Sequence, residues 1–325
     1  MQLVRGRTAA TATLGRELRR AAIVIGNFDG VHRGHQALIE TARRLADNTG
    51  GEVVALTFDP HPARLLAPGL APPLIVSLQR RAQLLAEAGV DVVVVEPFTH
   101  AFAAIEAEAF GSEVLGRDLR AAHVVVGYDF SFGKGRRGDT AMLADLGERH
   151  GFGVSVVRRV SIHGLTCSST KVREFVLEGR VEGASVLLGR PFEITGTVVR
   201  GAGRGRAIGY PTANIQDEAE LLPKAGIYAA RAQLLDDGGA VVLDDGGAVV
   251  ASHLAALSVG TNPTFVAGGG LTVEAYLLDF EGDLYGRRLR VQLIERLRDE
   301  LRFDSVAALT AQIAADVART RELVG

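Results

Sequence analysis

The chain has 325 residues, 47% of them hydrophobic, and 36 basic residues against 38 acidic ones for a net charge of −2. That length exceeds what one compact core usually holds, so two domains are expected. Near-neutrality removes the basic footprint that nucleic acid or an anionic membrane surface requires.

The N-terminal stretch MQLVRGRTAATATLGRELRR contains arginines, but no apolar segment of signal type follows, and Glu17 interrupts any likeness to a transit peptide. From Ala21 to about residue 188, short apolar runs alternate with helical patterns. AAIVIG (21–26), VVALTF (53–58), VDVVVVEPF (90–98), AAHVVVGYDF (121–130) and FGVSVVRRV (152–160) read as strands. Their unbroken β-branched character suits a parallel sheet covered on both faces. HQALIETARRLADN, SLQRRAQLLAEAG with Ser77 as N-cap, and MLADLGERHG read as helices between them. Strand–helix alternation predicts an α/β domain with right-handed crossovers.

After GRPF (189–192) the period changes. FEITGTVVR, GIYAARAQLL, AVVASHLAALSVG, LTVEAYLLDF and RRLRVQLIERL are strand-like and separated by Gly-rich turns. Antiparallel pairing is expected, closed into a small barrel that leaves no edges. An amphipathic helix from about Ser305 ends the pattern. The domain boundary falls at about residue 188, giving domains of 1–188 and 189–325. LDDGGAVV occurs twice in tandem, at 235–242 and 243–250. Two copies of eight residues are too few for a solenoid, and doubling a flexible loop costs only about 0.6 kcal/mol, so a lengthened hairpin loop is the reading. The lone cysteine, Cys167, excludes an intrachain disulfide. No run approaches the roughly 20 apolar residues that span a bilayer. A cytoplasmic location is the expectation.

The first strand runs into Gly26-Asn27-Phe28-Asp29-Gly30-Val31-His32-Arg33-Gly34-His35 and then a helix. A glycine-bearing turn feeding a helix N-terminus is where an α/β fold binds phosphate, because unpaired N–H groups point at the anion. His32 and His35, three apart, can face one side and donate hydrogen bonds where charge builds in phosphoryl transfer. Zinc is the competing reading, but the further candidates Asp59 and His61 lack diagnostic spacing. Thr57-Phe58-Asp59-Pro60-His61-Pro62 follows the second strand, and Val126-Gly127-Tyr128-Asp129-Phe130-Ser131-Phe132-Gly133 the fourth. Ser168-Ser169-Thr170-Lys171-Val172-Arg173 opens a later helix with hydroxyls and a guanidinium suited to polyphosphate. The barrel segment opens with Arg200-Gly201-Ala202-Gly203-Arg204-Gly205-Arg206-Ala207-Ile208-Gly209-Tyr210-Pro211-Thr212-Ala213-Asn214. Thr212 and Asn214, two apart, share a side in an extended segment and offer hard oxygens suited to Mg²⁺ carrying phosphates. Glu274 sits in Leu271–Leu277 on the face opposite Val273, Ala275 and Leu277, where it can serve as a base or stand as a solvated carboxylate.

In order and spacing the first set of motifs resembles the FMN adenylyltransferase domain of the bacterial bifunctional riboflavin kinase/FAD synthetase family, whose HxGH motif binds ATP. GRPF, GYPTANI, GIYA, SVGTNPTF, the Glu274 strand, LYG and LRDELRFDS resemble its kinase domain. The resemblance implies a Rossmann-like nucleotidylyltransferase α/β domain followed by a riboflavin kinase-like antiparallel β-barrel with a C-terminal helix. It implies that Gly26, Phe28, Gly30, His32, His35, Asp129, Ser169, Thr170 and Arg173 bind ATP in the first reaction centre. Asp59, His61 and Phe132 would border the flavin. Gly203, Gly209, Tyr210, Thr212 and Asn214 would bind MgATP in the second, with Glu274 deprotonating the riboflavin 5′-hydroxyl. Riboflavin, FMN, FAD, ATP and pyrophosphate are then the small-molecule partners, with Mg²⁺ as cofactor. Tyr128 departs from the family's acidic residue, Cys167 from an aliphatic one and Tyr210 from phenylalanine. A nucleotidylyltransferase acting on another phosphorylated substrate, with the barrel as a binding module, is the alternative. A flavin-binding protein without turnover and a nucleic-acid barrel are more remote, since aromatics are only 6% with no tryptophan for base stacking.

Overall fold

The computed structural model describes residues 1–10, 13, 15, 17–201, 204–218, 220–242, 252–261 and 271–325. It divides into two compact units, one of residues 1–72 and 78–167, the other of residues 73–77 and 168–325.

The first unit is built on six parallel strands: β1 (Gln2–Arg5), β2 (Ala21–Ile25), β3 (Val53–Asp59), β4 (Val92–Pro97), β5 (Ala121–Gly127) and β6 (Gly153–Val157). Their order is β1-β4-β3-β2-β5-β6. β2 is buried at all five positions, which is why its sequence runs apolar without alternation. The order reverses between β2 and β5. In an open α/β sheet that reversal opens a crevice beyond the carboxyl ends of the two strands. Val24 pairs with Ala55 on one side and Val125 on the other, so the Gly26 and Gly127 loops leave the sheet at neighbouring points. Helices α1 (Arg33–Thr49), α2 (Leu78–Glu87) and α3 (Thr140–His150) follow β2, β3 and β5. α1 buries Leu38, Ile39, Ala42 and Ala46, a helical stripe, and ends at Gly50 in the left-handed region. A π-helical segment, Phe110–Asp118, precedes β5.

β1 is a strand that the alternation from Ala21 onward does not announce. Arg7, just after it, hydrogen-bonds Glu96 of β4 and Asp118, and its guanidinium lies 5.2 Å from the Phe102 ring centre. β7 (Ser161–Ile162) and β8 (Leu165–Thr166) form a short hairpin.

The second unit begins with α4 (Ser169–Leu177) and α5 (Val181–Leu188) and holds a closed barrel. Its strands are β9 (Phe192–Val199), β10 (Ala213–Asp217), β11 (Gly226–Leu235), β12 (Ser252–Thr261), β13 (Leu271–Leu277) and β14 (Arg288–Arg298). Every pairing is antiparallel, in the order β10-β13-β12-β11-β14-β9. Closure removes the unpaired edges that a six-stranded sheet would expose. Buried apolar residues keep to one face of each strand: Phe192, Ile194 and, four on, Val198; Val273, Ala275 and Leu277; Leu289, Val291 and Leu293. α5 packs on β9 and β14, and the last helix, α6 (Val306–Val324), on β11, β12 and β14. The first LDDGGAVV copy turns back on itself: Asp236 Oδ1 accepts from the Ala240 N–H at 2.8 Å, and Leu235 pairs with Val241. Val242 is described; the second copy, 243–250, lies outside the described residues.

Candidate functional sites

At the end of β2 the backbone makes an unusual turn. Phe28, Gly30 and Val31 have φ of +50°, +80° and +42°. For a β-branched residue such as Val31 that region is strained by about 1–3 kcal/mol, a kind of strain that collects at functional turns. The turn delivers His32 to the N-cap of α1, where its Nδ1 accepts from the His35 N–H at 3.3 Å. The two imidazoles stack with ring centres 3.6 Å apart, and Phe28 meets His35 edge-on at 5.1 Å. Gly34 is dictated by this stack. A Cβ there would stand 3.0 Å from the His32 ring and 3.2 Å from the Cys167 carbonyl oxygen.

The histidines therefore sit at a helix start whose N–H groups and dipole favour anions. His32 is 6% exposed. Burial holds the His35 pKa well below the usual imidazole value, with His32 and Arg81 lowering it further. At neutral pH His35 is an uncharged imidazole. Its buried Nδ1 has no hydrogen-bond partner.

The end of β3 contributes the second loop. His61 caps the short helix Pro62–Leu66, with Nδ1 accepting from the Ala63 N–H at 3.2 Å, and its Nε2 lies 3.2 Å from the Asn27 side-chain amide. Thr57 Oγ1 donates to the Asn27 carbonyl at 3.2 Å, so the β2 and β3 loops are fastened together. After β5, Asp129 is exposed and Tyr128 is 41% exposed beneath the Arg159 guanidinium at 4.8 Å. Phe132 is a core residue, 5% exposed, packed on Phe110 at 5.2 Å and Phe130 at 5.6 Å. Its ring presents little surface to a ligand. Among the described residues no cluster of three or more His, Cys, Asp or Glu side chains is arranged to hold a metal.

Ser169, Thr170 and Arg173 occupy the first turns of α4, in the second unit. Ser168 caps that helix, its hydroxyl accepting from the Lys171 N–H at 3.2 Å, and Arg173 Nε donates to the Pro73 carbonyl at 2.8 Å.

The barrel's group is set by register. Asn214 of β10 pairs with Glu274 of β13, which pairs on its other side with Ser258 of β12. Strand alternation puts all three on the face opposite the packed interior. Thr212, two residues before Asn214, donates its hydroxyl to Glu274 Oε2 at 3.1 Å. The Asn214 side chain lies over Gly201: a Cβ there would come within 2.1 Å of Asn214 Nδ2. Gly209 turns at φ +84°, and Tyr210 packs edge-on against Tyr276 at 5.3 Å. Gly203 and residues 262–270, including Asn262-Pro263-Thr264-Phe265, lie outside the described residues.

Sequence reasoning missed Arg81. On a helix it reads as a surface cation, yet it is 1% exposed, and no local pattern announced the burial.

A helix start that favours anions and a barrel-wall group of hard oxygen donors together suit a nucleotide-dependent transferase. Comparison with known proteins narrows that class. A family model described as FAD synthetase matches residues 15–171, and one described as riboflavin kinase matches residues 188–324. The bifunctional riboflavin kinase/FMN adenylyltransferase of Escherichia coli strain K12 is 39% identical over 93% of this chain and 92% of its own. That of Pseudomonas fluorescens is 38% identical over 99% of this chain and 98% of its own. A crystal structure described as a macrolide-efflux protein from Streptococcus pneumoniae superposes over 99% of both chains with a TM-score of 0.83 and 29% identity. The chain belongs to the family of bifunctional riboflavin kinase/FMN adenylyltransferases.

Proposed function

We propose that this chain makes FAD in two ATP-dependent transfers, the first on the barrel and the second on the parallel-sheet unit. Family membership supports the pair of activities, and the Thr212–Glu274–Asn214 group is the observation that carries the assignment of the kinase step. There, Glu274 takes the proton of the riboflavin 5′-hydroxyl as that oxygen forms its bond to the γ-phosphorus of ATP. The bond to the β,γ-bridging oxygen breaks, and ADP leaves with FMN as product.

Thr212 and Asn214 offer hard oxygen donors, and the nearby carboxylate adds negative charge. That donor set fits Mg²⁺ held largely by nucleotide phosphates and water, not a closed protein cage. When bound, the ion would neutralise charge building on the transferred phosphoryl group. In the same geometry the Thr212 hydroxyl directs its proton at Glu274, which leaves its oxygen free to coordinate. Gly203, Gly209 and Tyr210 would shape the nucleotide side of this pocket.

In the adenylyl transfer, a phosphate oxygen of FMN attacks the α-phosphorus of ATP, and the α,β-bridging bond breaks to release pyrophosphate. No covalent enzyme intermediate is needed, so the residues act by placement and charge stabilisation. His32 and His35 would donate to the phosphates from the start of α1, with Gly26, Phe28 and Gly30 forming the turn beside the nucleotide. Asp129 would meet the nucleotide, and Ser169, Thr170 and Arg173 would bind phosphate. Asp59 and His61 would border the flavin, with Phe132 as a wall behind that pocket. The boundary between the catalytic domains is placed at about residue 188, and the enzyme in the cytoplasm. Among the described residues no helix is long and apolar enough to cross a membrane.

The test is direct. Purified protein is given riboflavin, ATP and Mg²⁺, and the flavins are separated by chromatography over time. FMN followed by FAD is expected. Failure to adenylylate added FMN would move the first unit to another phosphorylated substrate.

A further inference from the structure

We propose that Arg81 is a positioning residue of the adenylyl-transfer site, a buried guanidinium that fixes the end of β3 against the histidine turn after β2. The inference rests on the assignment of that reaction to the first unit.

Arg81 projects from α2 and is the largest of the fully buried side chains. Its Nη1 donates to the Phe58 carbonyl at 3.1 Å and lies 3.4 Å from Thr57 Oγ1. Thr57 Oγ1 donates in turn to the Asn27 carbonyl at 3.2 Å. One side chain thus reaches, through a single hydroxyl, the turn that carries His32 and His35. It also grips the carbonyl just before Asp59-Pro60-His61. Its Nε is buried without a hydrogen-bond partner.

A structural role alone accounts poorly for this arrangement. Burying a guanidinium carries a heavy desolvation cost, and an apolar residue of like volume would fill the same space with less. The cation must therefore serve the groups around it. The charged or titratable groups of this cluster are Asp29, His32 and His35 on the turn, Asp59 at the end of β3, and Arg81 on α2. Burial lowers the Arg81 pKa, while Asp29 and Asp59 raise it and hold it charged. Arg81 in turn contributes to keeping His35 uncharged. The same residue ties two substrate-facing segments together and adds, after burial and His32, to the effects that keep one imidazole uncharged.

The experiment compares Arg81→Met, Arg81→Lys and Thr57→Val in the full chain, with riboflavin phosphorylation on the barrel as the internal control. In Arg81→Met, kcat for FAD formation should fall about 100-fold with the KM for ATP little changed, the scale of a misplacement near 1 Å. FMN formation should be unaffected. The His35 ring-proton titration, identified by its loss in His35→Ala, should move to higher pH because a nearby cation is gone. Arg81→Lys should leave that titration in place and recover part of the turnover. Thr57→Val keeps the charge and removes only the linking hydroxyl, so FAD formation should fall about 10-fold with the titration unmoved.

Unaltered FAD turnover in Arg81→Met, or a His35 titration that does not move there, overturns the proposal. So does an Arg81→Lys variant no better than Arg81→Met. If Arg81→Met loses its dispersed histidine spectrum, Thr57→Val decides, and a wild-type rate in it overturns the link. An unmodified enzyme that cannot adenylylate FMN removes the underlying assignment instead, a distinct result.

Discussion

The two units place chemistry by different geometric rules. In the first, all six strands run parallel, so every strand ends on the same side and the loops after β2, β3 and β5 gather at the reversal of strand order. The candidate side chains there ride on turns and helix starts. The closed barrel uses the wall of the sheet instead. Asn214, Glu274 and Ser258 belong to three neighbouring strands and are brought level by hydrogen-bond register. A loop can shift by fractions of an ångström and retain some function. A strand that slips by one residue turns Glu274 toward the interior and Val273 outward, leaving no intermediate position.

The sharpest way to break this comparison is Glu274→Gln, which keeps the strand and removes the base. FMN formation should fall about 10²–10⁴-fold while added FMN is still adenylylated. Chromatography of both reactions checks it, and surviving riboflavin phosphorylation would refute the base assignment. The mirror experiment is His35→Ala. FAD formation should fall about 10²–10³-fold with FMN formation intact, and equal loss of both would contradict separate sites.

Smaller changes sharpen the rule instead of testing it outright. Gly201→Ala inserts a Cβ 2.1 Å from Asn214 Nδ2, so the amide must move. Riboflavin phosphorylation should drop about 10-fold, mostly as a raised KM for ATP, with adenylylation unchanged. Least of all, Ser305→Ala removes the hydroxyl that accepts from the Ala308 N–H at the start of α6. It should cost about 1 kcal/mol, seen as a melting temperature lower by about 2–4 °C, with both activities intact at 25 °C.

The α/β-then-barrel architecture was legible in the sequence, and the reasons are local. β2 to β6 are β-branched runs, and β11 spans Gly226–Leu235 as its alternation indicates. Glu274 was legible because period two puts it across from Val273 and Ala275 whatever the partner strands do. What escaped depended on distant pairing. β1 is four residues, and only β4 alongside it makes it a strand. β10, Ala213–Asp217, overlaps the PTAN segment, which reads as extended but not as a barrel strand, and its place comes from pairing with β9 and β13. Arg81 could not be found from its own helix, because its partners, Thr57 and Phe58, belong to β3, a strand earlier in the chain. The helices at 169–188 continue the strand–helix alternation in sequence, yet they belong to the barrel's unit, α5 packing on β9 and β14 and α4 on α5.

The duplicated octapeptide has a practical use. Arg288 Nη1 donates to the Asp237 carbonyl and Arg290 Nη2 to the Gly239 carbonyl, so the first copy's turn is pinned to β14. A second identical copy follows directly at residue 243. That repeat lies just downstream of an anchored turn and away from Thr212, Asn214 and Glu274 in sequence. That junction is a natural port for a reporter. A short epitope or a dye-bearing peptide spliced after Val242 would extend a connection whose closure entropy grows only with the logarithm of its length. It would label the enzyme without borrowing a residue from either reaction centre.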